Sequence, residues 1–203
     1  MRLVRDFYSR PTLQVAQELI GKVLVHRTGA GLTSGVIVEV EAYVGESDPA
    51  CHAAPGPTTR NAPLYGPPGH SYVYLNYGVH YLFNVVTEPA GSPAGILIRA
   101  LEPVDGILLM RKRRGRSRTK RHLRPRRRVS DHELCRGPGN VTQAMGLSLG
   151  HNRLDLLGNL LYIEDRGQAV SELSWSPRIG ITKGRDKHWR CYSAASPCVS
   201  GRQ

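Results

Sequence analysis

Two glutamates and a tyrosine alternate along the segment GVIVEVEAYVG. Successive side chains of a strand point to opposite faces, so Ile37, Glu39, Glu41 and Tyr43 share one face, with the two carboxylates about 6–7 Å apart. The opposite face is predicted to be a core face formed by Val36, Val38, Val40 and Ala42. Glutamate is depleted in strands, so the pair favours an active-site wall where a carboxylate acts as general base or stabilises a developing positive charge. The alternative is an edge or solvent-facing strand whose acids are hydrated or paired with arginine.

A second segment, YVYLNYGVHY, holds four tyrosines in ten residues. Asparagine and glycine on either side of Tyr77 indicate the turn of a hairpin, whose arms are HSYVYLN and HYLFNVVTE. Tyr77 is therefore expected at the tip, facing water. A large ring suits that position when it has a partner on which to stack. The alternative is that the ring folds back onto the protein.

The composition is that of a globular protein. With 203 residues, 40% of them apolar, the chain is expected to form a single domain over residues 1–203. The first residues, MRLVRDFY, lack the apolar run of a signal peptide, and no stretch approaches the ~18 apolar residues of a membrane span. Four cysteines without CxxC spacing predict reduced thiols in a cytosolic protein, with a Cys191–Cys198 disulfide left open.

Positive charge is concentrated in one segment. Residues 111–128, RKRRGRSRTKRHLRPRRR, hold 12 of the 28 lysines and arginines and no acid, which leaves 16 basic against 16 acidic residues elsewhere. Like charges at this density repel one another, so we expect a mobile basic arm and not a regular helix. Such an arm suits a polyanion, because each neutralised phosphate releases counterions. Nucleic acid is the favoured partner; a solvated loop and a localisation signal are the alternatives.

The other segments predict an α+β fold. A helix is predicted in SRPTLQVAQELIGK, with Leu13, Ala16, Leu19 and Ile20 as its apolar side. Further helices are predicted in VDGILLMRKR and GNVTQAMGL, strands in KVLVHR and AGILIRALEP, and short extended pieces in NLLYIED, SPRIGIT and CYSAASPCVS. Because strands follow one another in runs, we expect one curved, mostly antiparallel sheet with flanking helices and a protruding hairpin. The loop over residues 44–71 contains ten glycines and prolines and is expected to be functional.

Several motifs occur together in a characteristic order: VEVEAYVG, DPACHAAPGPTTRN, PPGHSYVYLNYGVHYLFNVV, ILIRALEP and ELCRGPGNVTQAMG. In this order and spacing they resemble the alkyladenine family of DNA glycosylases, the monofunctional 3-methyladenine DNA glycosylases without a helix-hairpin-helix motif. The resemblance runs from about Arg5 to Ser200, and only the basic arm lacks an obvious counterpart.

The resemblance implies a role for individual residues. Glu41 matches the catalytic acid that activates water, and Arg99 matches an arginine that supports this water and the backbone near Glu41. Tyr77 matches the residue that enters the DNA minor groove and fills the gap left by a flipped nucleotide. The base pocket is implied to be formed by Tyr43, His52, Tyr74 and Asn84. Among these, Asn84 matches the residue that excludes bases with the exocyclic amino group of guanine.

The resemblance also implies a reaction. The enzyme rotates a damaged nucleotide out of duplex DNA, at a cost of a few kcal/mol, and stacks a cationic alkylated purine on aromatic rings. The N-glycosidic bond then breaks through an oxocarbenium-like sugar, with Glu41 taking a proton from the attacking water. The motif offers no lysine beside Glu41 for a Schiff base, so a free base and an intact abasic site are expected, without metal or cofactor. Glu39 either holds Arg99 or another base, or is structural.

Further expectations concern contacts to the DNA backbone, departures from the family pattern and the substrates. Arg136 and Lys183 are candidate DNA-backbone contacts, and the turn before GNVTQAMGL could hold a phosphate. Cys191 and Cys198 stand where the family would have phenylalanine. 3-Methyladenine and 7-methylguanine are the expected substrates, with hypoxanthine and ethenoadenine left open.

The expected partner is double-stranded DNA with damaged purines, bound by a monomer. The protein is expected in the cytoplasm, at the nucleoid, if the source is prokaryotic, and in the nucleus if it is eukaryotic. A non-catalytic basic nucleic-acid-binding protein and a glycosidase acting on sugars are the competing hypotheses.

Overall fold

The computed structural model describes residues 1–115, 129–170 and 172–201. Within them, one sheet is built from eight strands: β1 (Val23–Thr28), β2 (Gly31–Val44), β3 (Ser71–Asn76), β4 (His80–Val86), β5 (Ala94–Asp105), β6 (Leu161–Glu164), β7 (Leu173–Ser176) and β8 (Arg190–Ser193). The strands run in the order β3-β4-β5-β2-β1-β6, while β8 pairs with β2 and with β7. Every pair of described strands is antiparallel. The predicted α+β fold with a curved antiparallel sheet is confirmed.

The helices are short and cover one face of this sheet. They are α1 (Arg5–Tyr8), α2 (Thr12–Leu19), α3 (Ile107–Gly115), α4 (Asp131–Leu134) and α5 (Pro138–Met145), with 3-10 turns at Ala62–Tyr65 and Leu149–His151. In the described residues, no helix has the length and apolar character that a membrane crossing requires.

Helix α2 confirms the predicted position of a helix but corrects its buried side. Val15, Ala16 and Leu19 pack into the main core, whereas Leu13 is partly exposed. Val15 and Leu19 are four residues apart and therefore lie one above the other on the same side of the helix. Leu13, two residues before Val15, falls outside that stripe.

The two faces of the sheet pack against different parts of the protein. One face forms the main core with α2 and α5, through Val40, Ala42, Val73, Phe83, Val85, Ile96 and Ile98. The opposite face carries the intervening side chains of the same strands. It is covered by the loop between β2 and β3 and by the segment between β7 and β8. Any site built from these intervening residues therefore stands on a rigid sheet.

The alternation predicted for β2 is wrong before Glu39, because the β2–β5 pairing is irregular there. The register steps from Ile37–Leu101 to Glu39–Ala100 and then to Val40–Ile98, so Val38 and Arg99 are each an extra residue on their strand. Such β-bulges turn the following side chains over. Consequently Ile37 lies in the main core, whereas Val36 and Val38 pack in a separate cluster with Val199.

The beginning of the basic arm is also different from the prediction. The helix predicted in VDGILLMRKR is confirmed as α3, which continues to Gly115, so residues 111–115 of the predicted mobile arm are helical. Arg113 Nη1 donates to the carbonyls of Ala144 and Met145 at 3.1 and 2.8 Å, at the carboxyl end of α5, where the helix dipole favours a cation. Arg111 donates to the Val129 carbonyl and pairs with Asp131. The expectation of a mobile arm otherwise falls on residues 116–128, outside the described residues.

All four cysteines lie in the described part of the chain, and all are buried free thiols. Cys191 is in the main core and Cys198 is in the cluster around Val199, and no disulfide joins them in the described residues. The segment SPRIGIT is not a strand; the strand of this region is β7, which ends at Ser176.

Candidate active site

A cavity of about 380 Å³ opens on the sheet face opposite the main core. Its volume lies in the range of small-molecule sites. The residues predicted for catalysis, base binding and intercalation all line it: Glu41, Tyr43, His52, Tyr74, Tyr77, Asn84 and Arg99. They come from β2, β3, β4, β5, the loop before β3 and the turn after it, so the sheet brings together residues that are distant in sequence.

Four of the lining residues form one row across the sheet. Tyr72 on β3 is opposite Asn84 on β4, Asn84 is opposite Leu97 on β5, and Leu97 is opposite Glu41 on β2. Directly opposite residues of antiparallel strands share a face and have neighbouring side chains. On the next rung, Gly95 is opposite Tyr43, and a side chain at Gly95 would come within 3.0 Å of the Leu64 side chain. The glycine therefore leaves room for the Leu64 side chain, which also lines the cavity.

Glu41 is buried and has two hydrogen-bond donors and one ion-pair partner. Its Oε2 accepts a hydrogen bond from the Tyr43 hydroxyl at 2.9 Å. Its Oε1 accepts the backbone N–H of Ile179 at 2.7 Å and lies 3.2 Å from Arg99 Nη1. Burial and then the neighbouring Glu41 charge raise the pKa of Tyr43 above its usual value, so Tyr43 remains a donor. The carboxylate is held in one orientation at the cavity wall.

Arg99 joins the two glutamates. Its Nε donates to Glu39 Oε1 at 3.0 Å, while Nη1 faces Glu41 and Nη2 donates to the Ser200 hydroxyl at 3.2 Å. Burial acts to lower the pKa of Arg99, but the carboxylates of Glu41 and Glu39 bring it above its usual value. The guanidinium therefore stays charged inside the protein.

Glu39 is fully buried and lies outside the cavity wall formed by the described residues. In addition to Arg99, its carboxylate accepts hydrogen bonds from Arg190 Nε at 2.6 Å and from the Ser200 N–H and hydroxyl at 2.7 and 2.9 Å. Its acceptor positions are thus occupied by Arg99, Arg190 and Ser200. Glu39 thereby holds Arg99 and the last described segment in place. Of the two roles left open for Glu39, this geometry corresponds to holding Arg99.

Three aromatic side chains form the side of the cavity away from β2. The rings of His52 and Tyr74 are 4.5 Å apart between centroids, and those of Tyr72 and Tyr74 are 5.2 Å apart. His52 Nδ1 is 2.9 Å from the Tyr72 hydroxyl. Burial, aided by the charge of Arg60, lowers the pKa of His52, so the imidazole is neutral at neutral pH. A neutral ring can stack beside a cationic base without repelling it.

Asn84 has one amide proton committed. Its Nδ2 donates to the Tyr72 carbonyl at 3.1 Å, which fixes the side chain between β3 and β4 at the cavity. An amide held in this way offers polar atoms in a fixed position, which is what discrimination between exocyclic groups on bases requires.

Tyr77 is at the tip of the β3–β4 hairpin and is 89% exposed. Tyr77 and Gly78 have φ values of 48° and 67°, as the two central residues of a type I′ turn do, and Val79 N–H donates to the Asn76 carbonyl at 3.0 Å. A positive φ is unfavourable for a bulky residue. The ring nevertheless stands in water, at a position that glycine or asparagine would occupy more easily.

The two candidate contacts to the DNA backbone lie outside the cavity wall. Arg136 is half-buried, and its Nε donates to the Val199 carbonyl at 3.0 Å. Lys183 is exposed two residues after Ile181, which lines the cavity.

Sequence reasoning missed several residues of this site. Ile179 contributes its backbone N–H, which no side-chain pattern reveals, and Arg178, Asp48, Arg190 and Ser200 act through contacts across long stretches of chain. The pair of glutamates was the available signal, since two buried carboxylates require cationic partners somewhere in the chain. In the described residues, no group of three or more histidine, cysteine, aspartate or glutamate side chains is arranged to hold a metal ion.

A buried carboxylate beside an aromatic cavity, with an exposed aromatic ring on a neighbouring hairpin, is the combination expected of an enzyme that acts on an extruded base. Comparison with known proteins identifies the class. A model of the family described as methylpurine-DNA glycosylase matches residues 6–197. The chain belongs to this family and is a DNA-repair hydrolase of N-glycosyl bonds.

Relatives are similar over their whole length. A protein of Chlorobium phaeobacteroides is 46% identical over 204 residues, which cover all of this chain and 96% of the relative. Proteins of Methanocella arvoryzae and Clostridium acetobutylicum are 47% and 44% identical, and each alignment covers 98% of this chain and at least 96% of the relative. All three are provisionally named 3-methyladenine DNA glycosylases. Family membership sets aside the hypothesis of a glycosidase acting on sugars.

Proposed function

We propose that this protein excises alkylated purines from double-stranded DNA, above all 3-methyladenine and 7-methylguanine, and leaves an intact abasic site. The observation that carries the proposal is the Glu41 carboxylate, held by Tyr43, Ile179 and Arg99 at the wall of an aromatic cavity. Three relatives bear the name 3-methyladenine DNA glycosylase, which supports the same substrate. Residues 1–203 act in this proposal as one glycosylase domain, and as a monomer.

Binding begins at the hairpin. Tyr77 enters the minor groove, and its ring takes the place of the extruded nucleotide, offsetting part of the lost stacking. The strained, exposed conformation of this tyrosine supports the role, because strain in a functional turn is retained when the side chain is needed there. Lys183 and Arg136 are further candidates for contacts to the backbone.

The flipped base enters the cavity and stacks among Tyr43, His52 and Tyr74. A purine alkylated at N3 or N7 carries positive charge, and an aromatic face attracts a desolvated cation by roughly 0.5–2 kcal/mol. Neutral His52 adds no opposing charge. Asn84 disfavours bases with the exocyclic amino group of guanine, because this group meets its fixed amide, and only a cationic base such as 7-methylguanine offsets that cost by its stronger stacking on the aromatic rings.

Cleavage uses the good leaving group that alkylation creates. As the N-glycosidic bond breaks, the sugar gains oxocarbenium character, and the Glu41 carboxylate stabilises this charge and takes a proton from the attacking water. Arg99 keeps Glu41 in position and supports the water. No protein nucleophile takes part, so the strand is left uncut.

The basic segment supplies salt-sensitive affinity for DNA in this proposal. Residues 116–128 contain eight lysines and arginines, and removing them spares Arg111, Arg113 and Arg114 within α3. Deleting 116–128 should therefore flatten the dependence of log K on log salt, by ~0.9 for each phosphate that the segment neutralises. Unchanged slopes in a binding titration between about 50 and 200 mM salt would remove the arm from the proposal. The relatives named above come from bacteria and an archaeon, which favours action at a nucleoid.

The proposal is tested by incubating methylated duplex DNA with the wild-type protein, with Glu41→Gln, and with Glu18→Gln as a control on the outer side of α2. Released base and strand integrity are read separately. Release by the wild type and the control, loss of release in Glu41→Gln, and strands that break only after alkali treatment are the expected results. No release by the wild type, with tight DNA binding retained, would instead indicate a binding protein without catalysis.

A further inference from the structure

A buried ion pair joins the two segments that close the cavity. Arg178 Nη1 donates to Asp48 Oδ2 at 2.5 Å and Nη2 donates to Oδ1 at 2.8 Å, so the guanidinium and the carboxylate form a two-bond fork. Both side chains are completely buried. Because the desolvation of two charges offsets most of their attraction, such a pair contributes little net stability. The position of the pair in the molecule gives a better reason for its presence than stability does.

On one side the pair fixes the donor to Glu41. Arg178 directly precedes Ile179, whose N–H donates to Glu41 Oε1 at 2.7 Å. Arg178 Nη1 also donates to the Ala42 carbonyl at 2.9 Å, which ties this segment to β2 one residue beyond Glu41. The guanidinium thereby sets the position of the Ile179 N–H relative to the carboxylate it orients.

On the other side the pair fixes the turn that leads to His52. The Asp48 carboxylate accepts the Ala50 N–H at 3.2 Å, and the Asp48 carbonyl accepts the Cys51 N–H at 2.9 Å. Ala50, Cys51 and His52 all line the cavity. A change at Asp48 therefore displaces the cavity wall that faces β2.

Arg178 also packs against the Tyr43 ring, on the side of the ring that faces away from the cavity. Its guanidinium carbon is 4.7 Å from the centroid of the Tyr43 ring and 5.2 Å from that of Trp189. Arg178 is buried and is not part of the cavity wall in the described residues, so it packs on the side of Tyr43 that faces the interior. Its Nε has no hydrogen-bond partner among the described residues, and the flanking rings supply the contact there.

We propose that the Arg178–Asp48 pair is a positioning unit that holds Glu41, through the Ile179 N–H, and the Tyr43 ring in their reactive arrangement. This inference rests on the proposed function. Neither residue touches the substrate; both act through groups that do.

The test compares Arg178→Lys, Asp48→Asn and the double variant with the wild type. Arg178→Lys keeps the charge but loses the fork. Single-turnover release of base from methylated duplex should fall about 100-fold in each variant, since a displacement of about 1 Å at a reacting group has such an effect. Groups that act as one unit are non-additive, so the double variant should lose no more than either single one. Binding to duplex containing an abasic site should stay at the wild-type level.

Arg5→Lys is the matched control. Arg5 also holds a carboxylate, Asp155, and a backbone carbonyl, that of Pro68, but outside the cavity wall. It should release base at the wild-type rate. If all arginine variants lose activity and DNA binding in proportion to their folded fraction, the pair is merely structural and the proposal is wrong.

A second readout does not depend on activity. In ¹⁵N-labelled protein without DNA, hydrogen exchange of the Ile179 amide should accelerate in Arg178→Lys relative to the amides of the sheet. Slow exchange like that of the wild type, together with an unchanged rate of base release, would overturn the inference. Should the wild type release no base, the proposed function fails, and the Ile179 amide still decides whether Arg178 positions the donor to Glu41.

Discussion

Arg99 lies between Glu39 and Glu41 and contacts both carboxylates, through Nε at 3.0 Å and Nη1 at 3.2 Å. The two acids of the VEVEAY segment thus share one cation but have different surroundings. Glu39 is enclosed by Arg99, Arg190 and Ser200, whereas Glu41 forms part of the cavity wall. Glu39 therefore has a supporting position, whereas Glu41 is the carboxylate that faces the cavity.

Glu39→Gln should therefore act mainly on stability, and Glu41→Gln mainly on catalysis. Glu39→Gln leaves Arg190 without its carboxylate partner in the interior and leaves Arg99 with Glu41 alone, so the free energy of unfolding should fall by about 3–5 kcal/mol. Glu41→Gln should cost less stability, because Arg99 keeps Glu39, but should abolish base release. Urea unfolding and single-turnover kinetics measure the two effects. Equal stability losses in both variants would contradict the division of roles.

Tyr43→Phe isolates the hydrogen bond to Glu41, since the ring that stacks on the base is retained. A hydrogen bond to a charged group contributes about 1.5–3 kcal/mol, so the rate constant of base release should fall roughly 10- to 100-fold. Affinity for DNA should be unchanged. Tyr65→Phe is a matched control, because Tyr65 donates to Glu46 outside the cavity wall of the described residues. A wild-type rate in Tyr43→Phe would show that the bond does not orient Glu41.

Tyr77→Gly should separate folding from base extrusion. Glycine adopts the φ of 48° without the cost of about 1 kcal/mol that other residues carry, so stability should be kept or increased. Release of base from duplex DNA should fall, while release from single-stranded DNA, where less stacking is lost, should be far less affected. Val79→Ala, at the same turn, is the control. Equal losses on both substrates would argue against a wedge.

Three histidines give the protein an acid-sensitive stability. Burial is the main cause that lowers the pKa of His26, His52 and His151. Below about pH 6.5 the unfolded chain then binds more protons than the folded one, so the free energy of unfolding falls as the pH falls from about 6.5 towards the folded pKa values. The slope is at most about 1.4 kcal/mol per pH unit for each histidine.

His26 provides the test of this pH dependence. Its Nδ1 donates to the Met145 carbonyl at 2.8 Å, and His26→Gln removes the titrating group from this site. Urea unfolding between about pH 7 and 5 should show a shallower decline for the variant. The aspartates with lowered pKa, such as Asp48 and Asp155, act only at lower pH, since their unfolded value is near 4. A decline of the wild-type steepness in His26→Gln would contradict the assignment.

Local patterns account for what could be predicted from the sequence. Glu41 and Tyr43 share a face because they are two residues apart, and Tyr77 is at a tip because its neighbours form a turn. These relationships extend over only a few residues. In the structure Glu41 and Tyr43 both line the cavity, and Tyr77 is exposed at the hairpin tip. The family resemblance added His52, Asn84 and Arg99, which no local pattern joins to the others.

What could not be predicted depends on contacts between distant segments. Asp48 and Arg178 are 130 residues apart, and nothing near either residue indicates the other. The bulges at Val38 and Arg99 leave no mark in the amino-acid types, so the apolar residues before Glu39 were assigned to the wrong face. Leu13 was misassigned for a related reason: the helix buries the stripe that meets the sheet, and the sheet was unknown.

Because the bulges in β2 and β5 are paired, the pairing of the two central strands depends on the number of residues that each strand contains. Val38 is offset by Arg99, and beyond them the two strands return to their original register. Deleting one residue between Gly35 and Val40 would leave the bulge at Arg99 uncompensated and shift the row that joins Glu41 to Leu97, Asn84 and Tyr72. In evolution this stretch should accept exchanges of side chains far more readily than a change in its length, and insertions should be tolerated instead in the loops outside the sheet.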